Sequence, residues 1–421
     1  MGRGAVGAAL LATLMAVAGP AAAADSDRLH YLAVTDNGTV LAARHADRPV
    51  NPASVVKVGT TLWALDRLGP RHRWETALAW TGRWDRSSGV LHGDLVVVGG
   101  GDPDLQWENA FLLARELNRL GLRRVEGRLR VDGALWFGWE QGVEKRLLDP
   151  TARGLVMGRR LLDAFDPSSW TRSHANTWQA LCARRGWDAS RRPEVRVAGG
   201  IVVGGDGDAT PLLVHRSNPL PTVMRRFNVY SNNDIVRVAE VLGSVADLEA
   251  FLTERLGVEP GGIELATASG ERRNRMTVSH MVRLVEALRD EAATHGLGLA
   301  DLLPVIGCDP GATRRMFPAL SAAPLAGSVV CKTGTLTTTD GGVAVLAGVF
   351  TGADGGEVTF AVAAPRAGSH LQWWRQVEQR WLLSVADARG GAVARSCPPE
   401  LPYSEAFAQV VPLLANGSAL E

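Results

Sequence analysis

The chain after residue 24 begins with two apolar runs around a turn and then changes to helical spacing. The segment "LHYLAVTDNGTVLAAR" predicts two strands joined at Asn37-Gly38, a dipeptide that suits a tight hairpin turn. After Pro52, apolar positions recur with helical spacing at Val55, Val58, Leu62 and Leu65. This spacing predicts a helix of roughly four turns that ends at Gly69-Pro70.

Between about residues 73 and 220 the pattern changes to short apolar runs separated by glycines. Examples are "GVLHGDLVVVGGGDPDL", "VEGRLRVDGALWFG" and "PEVRVAGGIVVGGDGDATPLLVHR". Such runs with regular turn signals predict a β-rich module, in which "ENAFLLARELNRLG" is a more helical patch.

Helical patterns return after Leu220 and lead into three strand-like runs, "GSVVCKTGTL", "GVAVLAGVF" and "EVTFAVAAP". A last helix, "SHLQWWRQVEQRWLLSVAD", should turn a stripe of Leu371, Trp374 and Trp381 toward the sheet. The order of the elements predicts an α+β fold whose antiparallel sheet, flanked by helices, is assembled from both ends of the chain. We expect residues 25–72 and 221–395 to form this domain, 73–220 the inserted β-rich module, and 396–421 a C-terminal tail.

Composition, charge and the N-terminal residues indicate the compartment of the protein and argue against several classes of partner. The 421 residues are 46% hydrophobic and 21% charged, which is ordinary for a globular protein. A net charge of +1 without long runs of one sign favours neither nucleic acid nor anionic membranes as partners. Residues 1–24 have the layout of a cleaved secretory signal ending in Ala22-Ala23-Ala24; the alternative, an uncleaved anchor, would need a longer apolar stretch. We therefore expect a periplasmic or secreted protein without a membrane span.

Cysteine and histidine patterns give no sign of a metal site. Four cysteines allow up to two disulfides in three possible pairings, which the sequence does not rank: Cys182, Cys308, Cys331 and Cys397. None belongs to a C-x-x-C, and no H-x-x-x-H or H-E-x-x-H occurs. The glycine-rich runs match neither common phosphate-binding pattern, so we expect no metal, nucleotide or other cofactor.

Lysine is scarce, since all but three of the 45 basic residues are arginines. Lys57 follows Ser54 by three positions at the start of the first helix, so the amine can reach the serine hydroxyl. A serine needs a base to become a nucleophile, and lysine can serve when its pKa is depressed, whereas arginine cannot. Alone, this spacing also arises by chance. We interpret Lys145, in "GVEKRLLD", as an ordinary lysine.

Two further short motifs occur later in the chain. Lys332-Thr333-Gly334, followed by Thr335, lies in a strand-like run, where a cation and hydroxyls suit a carboxylate and glycine permits close approach of a ligand backbone. Ser231-x-Asn233 precedes a helix, and in isolation the serine would be interpreted as a helix cap. The order S-x-x-K, S-x-N, K-T-G makes the three motifs informative together.

These three motifs resemble the signature of the penicillin-recognising serine acyl transferases. Within that superfamily the chain resembles the penicillin-binding proteins of the D-alanyl-D-alanine carboxypeptidase and endopeptidase type, peptidase family S13, through "FNVYSNNDIVRVAEVLG" and "VVCKTGTLTTTDGGVAVLAGVF". The resemblance implies a β-lactamase/transpeptidase-like domain. Only residues 58 to 230 separate the first two motifs, so we expect one of the family's two nested insertions to be reduced. The module could instead be an anchor or a partner surface.

The resemblance also implies a mechanism, in which the serine attacks the D-alanyl carbonyl of a peptidoglycan stem peptide. It further implies that β-lactam antibiotics inhibit the enzyme. It assigns catalytic roles to Ser54, Lys57 and Ser231, and substrate-binding roles to Asn233, Lys332, Thr333, Gly334 and Thr335. One alternative is a β-lactamase-type hydrolase, although no loop convincingly supplies the glutamate that class A enzymes use for fast deacylation. The other is a catalytically decayed wall-bound scaffold, against which the intact motifs argue.

Overall fold

The computed structural model of the protein describes residues 28–140, 149–205 and 208–413. The predicted signal segment and Lys145 lie outside these residues. Among the helices in the described ranges, none combines the length and apolar character that a membrane span requires.

The strands of the described residues are numbered in chain order. They are β1 (His30–Thr35), β2 (Val40–Arg44), β3 (Glu75–Trp80), β4 (Arg83–Asp85), β5 (Val90–His92), β6 (Leu95–Gly100), β7 (Arg124–Val125), β8 (Leu129–Ala134), β9 (Arg196–Val197), β10 (Ile201–Val203), β11 (Thr210–Arg216), β12 (Val329–Leu336), β13 (Val343–Thr351), β14 (Glu357–Pro365) and β15 (Gln409–Pro412).

The α-helices are numbered in the same way. They are α1 (Val56–Leu68), α2 (Trp107–Arg119), α3 (Pro150–Phe165), α4 (Arg172–Arg185), α5 (Leu220–Val229), α6 (Val236–Leu242), α7 (Val245–Arg255), α8 (Val278–Thr294), α9 (Ala312–Met316), α10 (Pro318–Ser321) and α11 (Leu371–Asp387).

The first sheet has five antiparallel strands in the order β12-β13-β14-β1-β2. The N-terminal strand β1 pairs with β14, so the sheet is assembled from both ends of the chain, as the order of elements predicted. Residues of β13 alternate between two hydrophobic clusters: Val345 and Ala347 belong to one, and Ala344 and Leu346 to the other. Because both faces are covered, the strand is an almost continuous apolar run.

Helices cover both faces of this sheet. Helix α8 packs on one face, with α1 packed against α8, and α11 packs on the other face. In α11, Trp374 is buried in the second cluster, and Leu371 and Trp381 pack against that cluster. The predicted sheet-facing stripe of the last helix is therefore confirmed.

The segment between α1 and α5, together with β15 of the C-terminal segment, builds two further sheets. One has six strands in the order β10-β8-β6-β3-β11-β15 and contains parallel as well as antiparallel pairs, and a small one has the order β4-β5-β7-β9. The helical patch predicted in this module is α2, but α3 and α4 were not predicted. Helix α4 buries only Trp178, Leu181 and Cys182 among many polar residues, so its periodicity is weak. Its ends are nevertheless well defined, by the Thr171 cap and by left-handed Gly186.

One disulfide links the C-terminal segment to the part of the chain between α8 and α9. Cys308 and Cys397 are bonded, with Cα atoms 5.5 Å apart and a sequence separation of 89. Cys182 and Cys331 are buried free thiols. Beyond this bond the segment continues to β15, which pairs with β11.

We expect Cys397→Ser to lower the free energy of unfolding by about 2–5 kcal/mol, because the disulfide closes a long loop and restricts the unfolded chain. Urea denaturation of the two proteins measures the difference. A reductant should lower the midpoint of the wild-type protein to that of the variant and leave the variant unchanged. A wild-type midpoint that is insensitive to a reductant would contradict this contribution.

Candidate active site

Ser54 lies in a single 3₁₀ turn, Ala53–Val55, that leads directly into α1. Ala53 has a left-handed backbone (φ 46°), and its amide donates to Asn51 Oδ1 at 3.0 Å. Such a conformation is uncommon for alanine and persists only where the surroundings fix it. The turn thereby holds Ser54 partly exposed at the N-terminal end of α1. The residues of α1 from Val56 to Leu65 are all buried.

Lys57 is fully buried one helical turn beyond Ser54. Its Nζ donates to Ser54 Oγ at 2.8 Å, to Asn233 Oδ1 at 2.7 Å and to the Ser269 carbonyl at 2.7 Å. Burial and the nearby charge of Lys332 hold the pKa of Lys57 well below its usual value, against an opposing effect of Glu271. An amine that loses its proton readily is thus in hydrogen-bond contact with a serine hydroxyl.

The S-x-N motif lies between α5 and α6, and its backbone turns sharply there. Ser231 has a left-handed backbone (φ 50°), and the side chain of Asn232 caps the following turn by accepting from the Asp234 amide at 2.8 Å. The residue that caps this 3₁₀ turn, which leads into α6, is therefore Asn232 and not Ser231. Ser231 Oγ accepts from Lys332 Nζ at 2.8 Å, while Asn233 contacts Lys57, so each residue of the motif contacts one of the two lysines.

Lys332 lies on β12 and is 1% exposed. Besides Ser231 it donates to the Thr333 carbonyl at 2.9 Å. Burial lowers the pKa of Lys332 to about 7; Cys331 opposes this lowering and Arg375 adds to it. The site therefore holds two buried lysines on facing elements, each bonded to a serine hydroxyl.

Gly334 is needed for contact between β12 and the turn that carries Ser54. A Cβ at this position would lie 2.6 Å from the Pro52 carbonyl oxygen, 3.0 Å from Ala53 Cβ and 3.1 Å from the Ser54 amide nitrogen. The sequence suggested close approach of a ligand, whereas the structure supplies a reason within the chain itself. Gly270 (φ 85°) is similar, because a Cβ there would overlap the Ala53 carbonyl.

Sequence reasoning missed several residues that support the site. Ser269 supplies the carbonyl that binds Lys57. Arg375 of α11 is buried and donates to the Gly334 carbonyl and to Thr335 Oγ1, so the last helix positions the strand that carries the K-T-G motif. Glu378 accepts from Arg375 at 2.6 Å, and burial raises the pKa of Glu378 to about 7 against the effect of Arg375. The sequence signal that could have identified Arg375 and Glu378 was an Arg-x-x-Glu pair on the apolar face of the last helix.

The structure thus brings all eight sequence-predicted residues to one place. Ser54, Lys57 and Asn233 are hydrogen-bonded together, Ser231 is bonded to Lys332, and β12 carries the remaining three residues past the Ser54 turn. In the described part of the chain, no group of three or more His, Cys, Asp or Glu side chains is placed to hold a metal ion. The arrangement suits attack by a serine hydroxyl with an amine as its base.

Comparison of the sequence with known families gives a match over most of the chain. The model of the D-Ala-D-Ala carboxypeptidase 3 (S13) family matches residues 22–147 and 189–371. Helices α3 and α4 lie in the unmatched part between these ranges. Carboxypeptidase DacB of Mycolicibacterium smegmatis is 28% identical over 365 residues, which are 79% of this chain and 75% of that protein. D-alanyl-D-alanine carboxypeptidase of an Actinomadura species is 36% identical over 110 residues, 26% of this chain and 20% of that protein.

Solved structures share the fold. The peptidoglycan endopeptidase Bd3459 of Bdellovibrio bacteriovorus superposes with a TM-score of 0.72 at 23% identity, over 91% of this chain and 98% of that one. Penicillin binding protein 4 of Haemophilus influenzae superposes with a TM-score of 0.60 at 20% identity, over 85% of this chain and 96% of that one. The expected α+β transpeptidase-like fold is confirmed. The family model matches the sequence on both sides of helices α3 and α4. This chain therefore belongs to the D-Ala-D-Ala carboxypeptidase 3 (S13) family.

Proposed function

We propose that this protein is a serine-type D-alanyl-D-alanine carboxypeptidase or endopeptidase that acts on peptidoglycan stem peptides through an acyl-enzyme on Ser54, and that penicillins acylate the same serine. The observation that carries the proposal is the 2.8 Å contact between Ser54 Oγ and the buried amine of Lys57. The family and the names of the relatives support the substrate class.

Acylation begins when Ser54 Oγ attacks the carbonyl carbon of the penultimate D-alanine. Neutral Lys57 takes the hydroxyl proton, and burial favours this neutral form. The backbone amides of Ser54 and Thr335 form the oxyanion hole, in which one donor contributes about 3 to 4 kcal/mol. The proton that Lys57 has taken then passes through Ser231, which is bonded to Lys332, to the nitrogen of the leaving D-alanine as the C–N bond breaks. Water then attacks the ester carbonyl and restores the Ser54 hydroxyl.

Substrate binding uses the atoms that the internal hydrogen bonds leave available. Asn233 Oδ1 accepts from Lys57, so the amide NH₂ of Asn233 is the group that binds a substrate carbonyl. Thr335 Oγ1 accepts from Arg375 and keeps its own O–H to donate to the terminal carboxylate. Together with Thr333 and the charge of Lys332, this hydroxyl selects a substrate that ends in a carboxylate.

The enzyme would act outside the cytoplasm, in the periplasm or as a secreted protein. The predicted signal segment 1–24 and the peptidoglycan substrate support this location. Segments 25–72 and 221–395 form the catalytic domain of this proposal, 73–220 the inserted module, and 396–421 the tail.

Mass spectrometry after exposure to labelled penicillin tests the proposal. A long-lived adduct that peptide mapping places on Ser54, together with D-alanine release from a synthetic peptide ending in D-Ala-D-Ala, is the expected result. Rapid penicillin turnover without an accumulated adduct would identify a β-lactamase instead. Absence of both reactions would identify a catalytically decayed scaffold.

The pH dependence of kcat/KM for such a peptide should be bell-shaped. Activity rises with pH as Lys57, whose pKa is lowered by burial, loses its proton and becomes a base. It falls as pH rises above about 7, because Lys332 loses the charge that holds the carboxylate. In Lys332→Arg the cation persists, so the falling limb should move to higher pH even if the overall rate is lower. If the falling limb stays at the same pH in Lys332→Arg, this limb reports the titration of a group other than Lys332.

We expect Gly334→Ala to slow penicillin acylation about 100-fold, since the added Cβ displaces the Ser54 turn by a fraction of an ångström or more. Stopped-flow measurement of the acylation rate gives the effect. Gly298→Ala is the matched control: its φ is −101°, and the nearest atom to its Cβ, Asp301 Oδ2, lies at an ordinary 3.8 Å. Wild-type acylation by Gly334→Ala would show that the close packing does not position Ser54.

A further inference from the structure

A cleft of about 790 Å³ lies at the end of the five-stranded sheet where β1 and β13 begin and β14 ends. None of the eight residues of the proposed active site lines it. Its basic lining residues come from separate parts of the chain: Arg28, His30, His45, Arg48, Arg275 and Arg366. Asp340 is the one acidic residue of the lining.

The single carboxylate does not neutralise this cleft. Asp340 accepts from Arg275 at 2.9 Å and from Asn51 Nδ2 at 3.0 Å. Its negative charge is therefore paired with Arg275 of the cleft lining. Arg48 and Arg366 are exposed, and no carboxylate of residues 28–140, 149–205 or 208–413 lies within 4.0 Å of either guanidinium. Since the whole chain has a net charge of only +1, the positive charge is a local property of the cleft.

The backbone of the cleft has an unusual feature in common with the active site. His45 (φ 49°), Asp340 (φ 57°) and Arg366 (φ 55°) adopt the left-handed conformation that Ala53 and Ser231 adopt beside the two lysines. In residues other than glycine this conformation costs energy and concentrates at binding and catalytic sites. In Arg366 it accompanies a hydrogen bond from Arg28 to the Arg366 carbonyl at 3.0 Å, which holds two of the basic residues together.

We propose that this cleft is a binding site for an anion with two or more phosphate or carboxylate groups, with Arg48 and Arg366 as its main ligands. The planar guanidinium fork pairs with two oxygens of either group, and separate arginines suit separate anionic groups of one ligand. The volume is in the range of small-molecule sites and exceeds that of a single ion. This inference does not depend on the proposed peptidase activity.

Variants that test the site should leave the Ser54 turn intact. Arg275 is unsuitable, because its partner Asp340 bonds to Asn51, which in turn accepts from the Ala53 amide. Within the described ranges the side chains of Arg48 and Arg366 make no such connection to the Ser54 turn, and both are exposed, so Arg48→Gln/Arg366→Gln should fold normally and react with penicillin at the wild-type rate. Arg172→Gln, which removes an exposed arginine of α4 that does not line the cleft, is the control for loss of positive charge elsewhere on the surface.

Isothermal titration calorimetry with tripolyphosphate and, separately, with citrate, in about 0.15 M salt, measures the binding. We expect saturable one-site binding of at least one probe, weakened about tenfold or more by Arg48→Gln/Arg366→Gln and unchanged by Arg172→Gln. Binding of tripolyphosphate alone would assign a phosphate ligand, and binding of citrate alone a carboxylate. No saturable binding of either probe, or equal weakening by the control variant, would overturn the proposal.

Discussion

Ser54→Ala should abolish acylation by penicillin and lower kcat/KM for a D-Ala-D-Ala peptide by about 10⁴-fold or more. The covalent step has no substitute, because the remaining groups of the site supply only binding and charge stabilisation. Ser54 is partly exposed and accepts one hydrogen bond, from Lys57, which keeps two further acceptors in the variant. The fold should therefore be preserved, and the loss is chemical.

Three measurements separate this loss from unfolding or contamination. The variant should have an unfolding temperature close to that of the wild type, no penicillin adduct by mass spectrometry and no D-alanine release. Ser173→Ala, which removes an exposed serine hydroxyl of α4, should retain full activity. If Ser54→Ala releases D-alanine at the wild-type rate, the nucleophile is elsewhere and the mechanism proposed for this chain is wrong.

The sequence was sufficient to predict the first helix and the central sheet because their signals are local. Helical spacing after Pro52 placed Ser54 and Lys57 one turn apart, and long apolar runs near the C-terminus marked strands buried on both faces. The order of those elements then required strands from both ends of the chain in one sheet. The three motifs predicted the catalytic cluster because each is short and lies on one element.

The supporting contacts could not be predicted, because they join positions far apart in the chain. The Ser269 carbonyl is 212 positions from Lys57, and Arg375 reaches Gly334 across 41 positions. No local pattern reports such pairs. The role of Gly334 is equally non-local, since a Cβ there would meet the Pro52 carbonyl oxygen, Ala53 Cβ and the Ser54 amide nitrogen. The disulfide pairing was open for the same reason.

Lys57→Arg should reduce the acylation rate by about 10²- to 10⁴-fold, because a guanidinium keeps the positive charge but does not accept the serine proton. The measurement is the stopped-flow rate of penicillin acylation. Since Lys57 is fully buried and bonded on three sides, the larger arginine could disturb the fold. Lys57→Gln, which is uncharged and one atom shorter than lysine, is the second variant, and its acylation rate should fall to a similar extent.

The pH profile distinguishes a base from a residue that only supports the structure. In the wild type the acylation rate should rise with pH as Lys57 is deprotonated, whereas in Lys57→Gln this rising limb should disappear from the residual rate. A variant that had merely loosened the site would keep the limb at a lower rate. Acylation by Lys57→Arg within tenfold of the wild type would exclude Lys57 as the base and leave Lys332, bonded to Ser231, as the remaining amine of the site.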